Sequence, residues 1–202
     1  LAWIRHENNP VLKPKIGGEF GETICMNPYA EVRDRQIYLY YAADSPSEKI
    51  QICLTKSSIN DVDGFCKREV IIDNGEAGEF DSKWCVLPNT IMIDGKHHIY
   101  YTSNNGIGQG LSGFPGIGCA LSRDGKSYTK VSGNPILPPS GILGDPDMIG
   151  IAGGSLIKIK QKDNSYIIRY YYTGCPTLGE DYFTDQQKYI CCAESNNGTD
   201  WQ

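Results

Sequence analysis

A chain of 202 residues is long enough for one well-packed domain. Its net charge of −5 and pI near 5.2 come with no basic run, so there is no electrostatic footprint for nucleic acid. No apolar stretch approaches the roughly 18 residues that a bilayer-spanning helix needs, and no signal-peptide pattern stands at the start. The expectation is a soluble protein, secreted or cytoplasmic, with neither nucleic acid nor membrane as a partner. Thirteen Tyr and 23 Gly suit β-structure with tight turns.

In chain order, strands are predicted at 29–32 and 37–42 around a polar turn, then at 49–55 and 67–72. The next run, 90–93 and 97–102, flanks Asp94-Gly95, a strong hairpin signal. Strands at 117–122 and 128–131 follow, with Asp124-Gly125 between them. The last set is 155–160, 166–172 and 189–193, closed by the turn Asn196-Asn197-Gly198. No segment keeps a helical period over three turns. Short four-stranded antiparallel sheets in series are the sequence signature of propeller blades.

The chain also repeats itself. Gly18-Glu19-Phe20 returns as Gly78-Glu79-Phe80, Cys25-Met26-Asn27-Pro28 as Cys85-Val86-Leu87-Pro88, and Tyr40-Tyr41 as Tyr100-Tyr101 and again as Tyr171-Tyr172. A fixed period fixes the architecture. Three repeats, at roughly 4–65, 66–128 and 129–201, are read as one partial propeller domain over 1–202. Trp3 with Asn9-Pro10-Val11-Leu12 has the internal spacing of Tyr128 with Asn134-Pro135-Ile136-Leu137, and Trp201 stands at the same phase. Propellers need four to eight blades to close. The expectation is therefore a fragment of a longer protein, or copies that self-associate to complete a ring.

The order of these elements, with Ile117-Gly118-Cys119-Ala120-Leu121-Ser122-Arg123-Asp124-Gly125 and Phe80-Asp81-Ser82, resembles the five-bladed β-propeller glycoside hydrolases. That superfamily includes arabinanases, xylosidases, invertases and mannoside phosphorylases. The resemblance runs along the whole chain. It implies an all-β fold of the five-bladed glycosidase type with about three blades present, a carbohydrate ligand, and carboxylates at the mouth of a central funnel. Glycosidic cleavage needs one carboxyl group to protonate the leaving oxygen and another to activate water or to attack. Their surroundings must hold the two pKa values apart.

Carried over residue by residue, the inner-strand positions of the three repeats hold Asn27, Leu87 and Gly153-Gly154, none of them an acid. Asn27-Pro28 matches mannoside phosphorylase-like members, but Leu87-Pro88-Asn89 stands where those carry Asp-Pro-Arg, which speaks against a phosphorylase. The acids that remain lie in the loops that lead into the inner strands. Asp81, Asp147, Asp145 and Glu22 are the catalytic candidates, with Glu19 and Glu79 read as scaffold. Asn27, Trp84, Asn89 and His97 are the substrate-binding candidates, Trp84 as a stacking platform or as a core residue. No metal site is expected from spacing, no cofactor is implied, and a structural Ca²⁺ in the funnel follows from the resemblance alone. The eight Cys read as buried free thiols, with one or two disulfides as the alternative. The function expected is that of a glycoside hydrolase-like protein. A non-catalytic carbohydrate-binding propeller and a protein-interaction scaffold are the alternatives.

Overall fold

The computed structural model describes residues 3–14, 23–65, 67–107, 113–177 and 187–202. Glu22 and Glu19 lie outside the described residues. So do 108–112 of the glycine-rich loop and 178–186 of the insertion before the last strand. Every named element is a strand. Among the described residues no helix is long and apolar enough to cross a membrane.

The strands form three antiparallel meanders in chain order. The first is β1 (Cys25–Arg33), β2 (Gln36–Asp44), β3 (Ile50–Ser58) and β4 (Arg68–Ile72). The second is β5 (Trp84–Ile93), β6 (Lys96–Asn104), β7 (Ile117–Ser122) and the two-residue β8 (Thr129–Lys130). The third is β9 (Gly150–Lys160), β10 (Tyr166–Cys175) and β11 (Tyr189–Ser195). One parallel pairing, Ile50 to Trp84, joins the first two meanders into a single open eight-stranded sheet.

Local chemistry explains the turns. Asp34-Arg35 and Asp94-Gly95 both have positive φ at each residue, the type I′ geometry that matches the twist of a two-residue hairpin. In the turn after β7, Asp124 Oδ1 accepts the amides of Lys126 and Ser127 at 2.9 Å, and Ser122 Oγ accepts that of Gly125 at 2.9 Å. The two amides, Ser127 first, together with the Ser122 hydroxyl that donates to Oδ1 at 2.8 Å, hold the Asp124 carboxyl well below the usual range. Asn197 and Ser195 repeat the device after β11.

Alternation then sorts the side chains between neighbours. Tyr38, Tyr40, Ile52 and Leu54 of the first meander share a core with Ile99, Tyr101 and Ala120 of the second. Tyr100, Ile117 and Cys119 of the second share one with Ile151, Tyr170 and Tyr172 of the third. Each meander thus buries one face on the next. All seven described cysteines are free thiols. Burial pushes Cys53 and Cys119 up to about 12, so they pack as small apolar groups.

Candidate functional site

The first strands of the meanders, β1, β5 and β9, begin earlier than their hydrophobic patterns predict, because each is interrupted by a bulge. The register breaks between Met26 and Tyr29, between Val86 and Asn89, and opposite Tyr171 and Thr173. The bulged residues are Asn27 at φ 53°, Leu87 at 54° and Gly153 at 60°. An extra residue leaves the ladder and bends the strand, as bulges beside binding sites do. β5 lies against both β1 and β9. The three bulged ends therefore form one rim.

The rim is apolar and amide-rich. Met26, Trp84, Leu87 and Phe114 pack, half-buried, over Ala42, Ile50 and Val86. Phe114 also covers Ala152 and Cys175 of the third meander. Asn27 is half-buried, and its amide makes no hydrogen bond among the described residues. The Lys83 ammonium stands 5.5 Å from the Trp84 ring. Asn89 Nδ2 donates to the Gly154 carbonyl at 3.0 Å, and the Gly153 amide donates to Thr102 Oγ1 at 2.7 Å, so these two contacts tie the second meander to the third. Met26 and Trp84 thus share one patch of the rim, Asn27 follows Met26 at the bulge of β1, and Asn89 acts as a cross-link to the third meander.

His97 is far from the rim. It pairs with Met92, whereas Trp84 pairs with Asn104 at the other end of the same hairpin, about 20 Å away at strand rise. There His97 meets Arg33 Nη1 at 3.0 Å. Arg33 also donates to Tyr40 Oη at 2.8 Å and lies 3.7 Å from the Tyr38 ring. Glu31 accepts from Tyr40 and from Thr90, at 3.0 Å each. This network locks the first meander to the second.

Asp81 and Asp147 occupy matching places in the loops before β5 and β9. Tyr101 Oη donates to Asp81 Oδ2 at 2.9 Å, and Tyr172 Oη donates to Asp147 Oδ2 at 2.6 Å. Their carbonyls accept loop amides alike, from Gly75 and from Ser140. Burial first, then the neighbouring carboxylate, pushes both phenols up, so they stay protonated donors. Asp81, 1 % exposed, also meets Lys130 Nζ at 2.7 Å and borders a cleft of about 290 Å³ with Glu79 and Asn134. Asp147 is 9 % exposed. Asp145 is half-buried in its loop, its amide donating to Ile142. The repeated Tyr-Tyr pair carried the signal for these clasps. In the second and third meanders the second Tyr of the pair takes the carboxylate, and in the first and second the first Tyr faces the following meander. Among the described residues no three carboxylate, His or Cys side chains converge as ligands for a metal ion.

No protein-family model and no curated protein matches the chain. Solved structures do. A glycosyl hydrolase from Bacteroides ovatus superposes with a TM-score of 0.64 at 20% identity, over 99% of this chain and 57% of that one. A structure from the GH130 family of mannoside phosphorylases, described as containing glycoside hydrolases that target β-1,2-mannosidic linkages in Candida mannan, gives 0.63 at 20%, over 98% and 56%. An α-L-arabinofuranosidase from Lactobacillus brevis gives 0.61 at 12%, over 89% and 55%. The fold is that of the β-propeller glycoside hydrolases. The chain spans a little over half the length of these propellers. At such identities the likeness is one of backbone, and the residues of the rim have to be argued from their own chemistry.

Proposed function

We propose that the three meanders are three blades of a five-bladed, glycosidase-type propeller, and that the rim formed by β1, β5 and β9 is a carbohydrate-binding surface. The observation that carries this reading is a half-buried Trp84, packed with Met26, on a rim whose neighbouring bulge holds Asn27 with no side-chain partner among the described residues. An indole face takes the apolar side of a sugar ring, and an amide that both donates and accepts fits a hydroxyl. None of the described inner-strand bulge residues is acidic, which favours recognition over cleavage by this part of the propeller.

Cleavage of a glycosidic bond is the second reading. It is favoured by the matched placement of Asp81 and Asp147, with Asp145 and Glu22 as further acids. Against it stands their engagement by Tyr101, Lys130 and Tyr172. Titration of the purified protein with mannan, arabinan and xylan oligosaccharides tests both readings. Binding that weakens about tenfold in Trp84→Ala, roughly 1.4 kcal/mol, is the expected result. Turnover that disappears in Asp81→Asn while binding persists would establish the second reading. Absence of glycan binding, or binding indifferent to Trp84→Ala, overturns the first.

A further inference from the structure

Lys83 stands at the join between the first two meanders, directly before Trp84. Its amide donates to the Asn104 carbonyl and its carbonyl accepts the Ile50 amide, both at 3.0 Å. The backbone is thus held by β6 on one side and by β3 on the other. The side chain is guided as well. Asn104 Oδ1 accepts the Gly106 amide at 2.7 Å, which brings the chain after β6 over the lysine. Gly106 sits at φ 79°, and a Cβ there would come within 3.0 Å of Lys83 Cδ. A glycine at that place leaves room for the lysine stem. The exposed ammonium then stands 5.5 Å from the centre of the Trp84 ring.

That placement does not serve a structural ion pair. β5 has the first meander on one side and the third on the other, and among the described residues Lys83 meets no carboxylate within 4.0 Å. The cations of the structural pairs do, Lys130 meeting Asp81 and Arg169 meeting Glu194. An ammonium over an indole at an exposed site is weakly held, because water competes for it. It also stands over the ring on which a sugar would stack. A neutral sugar that takes that face displaces the ammonium and offers it only a hydroxyl in return. A sugar bearing a carboxylate offers it an ion pair, and charge-assisted hydrogen bonds are roughly twice as strong as neutral ones. Specificity is the difference between these two ligands.

We propose that the rim selects acidic glycans, with the carboxylate of a uronic-acid residue on Lys83 Nζ and the sugar ring on Trp84. This rests on the carbohydrate-binding reading of the rim and adds the class of sugar. An ammonium is a point charge with three rotatable donors, so Lys83 supplies the sign and Trp84 the position. The carboxylate of a uronic acid is joined directly to the sugar ring. A ring stacked on the indole therefore carries its charge within reach of a lysine fixed one residue before that indole.

The test titrates the protein with two acidic ligands, a glucuronic-acid-branched xylo-oligosaccharide and an oligogalacturonate. Each is run beside the same compound with its carboxyl groups reduced to alcohols, so that only the charge differs. A sulfated galactan oligosaccharide is the fifth ligand. At about 20 mM salt at least one acidic compound should bind about fivefold or more tighter than its reduced form, and the difference should shrink at about 500 mM. Lys83→Gln should remove the difference while leaving the reduced compounds within about twofold of the parent, and Lys83→Arg should keep most of it. Acidic and reduced compounds bound equally, or a preference that survives Lys83→Gln, overturn the inference and leave the carbohydrate reading standing. A sulfate ester bound as tightly as the uronates overturns the assignment to a carboxylate. Binding of none of the five overturns the carbohydrate reading, and the inference with it.

Discussion

Leu87 stands at φ 54°, where a side chain other than Gly, Asn or Asp costs about 1–3 kcal/mol. Its side chain repays part of that cost by packing with Trp84 and Val86 and by touching the space beside Gly153. The equivalent bulge in β1 uses Asn27, which tolerates this region, and that in β9 uses Gly153, which prefers it. Leu87→Val should therefore destabilise the fold by about 2 kcal/mol, because a β-branched residue adds strain and loses packing. Leu87→Asn should change it by less than about 1 kcal/mol. Denaturant midpoints of the two variants check this, and equal losses would show that packing alone sets the cost. Asp81 gives a second residue-scale prediction. In Asp81→Asn the side-chain oxygen still accepts from Tyr101, but the attraction to Lys130 is gone. The lysine is one-third exposed, so water takes part of the loss, and the expected destabilisation is about 1–2 kcal/mol. An unchanged midpoint would mean that the ion pair contributes nothing to the fold.

At the scale of the element, hairpins were the most legible part of the sequence. Asp94-Gly95, the Asp124 and Asn197 turns and the strands around them lie where alternation and turn chemistry placed them. The starts of β1, β5 and β9 were not legible, because a bulge resets the two-residue period and the residues before it lose their phase. The same reset hid the site. Trp84 and Asn27 could be named from their repeat positions, but the packing of Trp84 with Met26 beside the Asn27 bulge depends on how the strands of two meanders pack. His97 and His98 show the limit from the other side. Alternation predicts opposite faces, and both faces of β6 are buried, one against Arg33 of the first meander and one against Gly198 of the third. The bracket that Asn134 forms on Cys119, accepting its amide and donating to its carbonyl, is an element-scale device too. It adds two side-chain bonds to the β7 edge beside the one backbone bond that Val131 donates to Cys119. Asn134→Ala leaves the Cys119 amide unmatched at a buried strand, while the Cys119 carbonyl keeps the Val131 amide at 2.9 Å, and should cost about 1–2 kcal/mol, with faster amide exchange at Cys119. Exchange no faster than in the parent would show that the bracket is not what protects the edge.

For the whole molecule, the seams between meanders set how stability responds to acid. His98 is buried between β6 and the Gly198 turn, stacked beside Tyr100 at 6.3 Å, and its Nδ1 has no partner among the described residues. Burial, with Lys96 and Lys158 adding to it, pushes His98 down to about 4. His97, across the sheet, is lowered by burial and by Arg33. In the unfolded chain both titrate near 6.5. Above that value both states are neutral and the full stability is present. As pH falls from about 6.5 towards 4, the unfolded chain takes up protons that the folded one refuses, so unfolding becomes easier. Below about 4, His98 protonates in the fold as well and its loss is complete. The carboxylates lowered by hydrogen bonds, Asp44 and Asp163 among them, contribute in a separate window, because their stabilisation is present above their unfolded values near 4 and fades only below them. The unfolding free energy should therefore fall in two stages, the first belonging to the seams. His98→Gln removes the titrating group while keeping a polar side chain of similar reach, and should flatten the stage between pH 6.5 and 4 while leaving the lower one in place. A parent profile that is flat between pH 7 and 4.5 would mean that the seam beside His98 opens to water without unfolding.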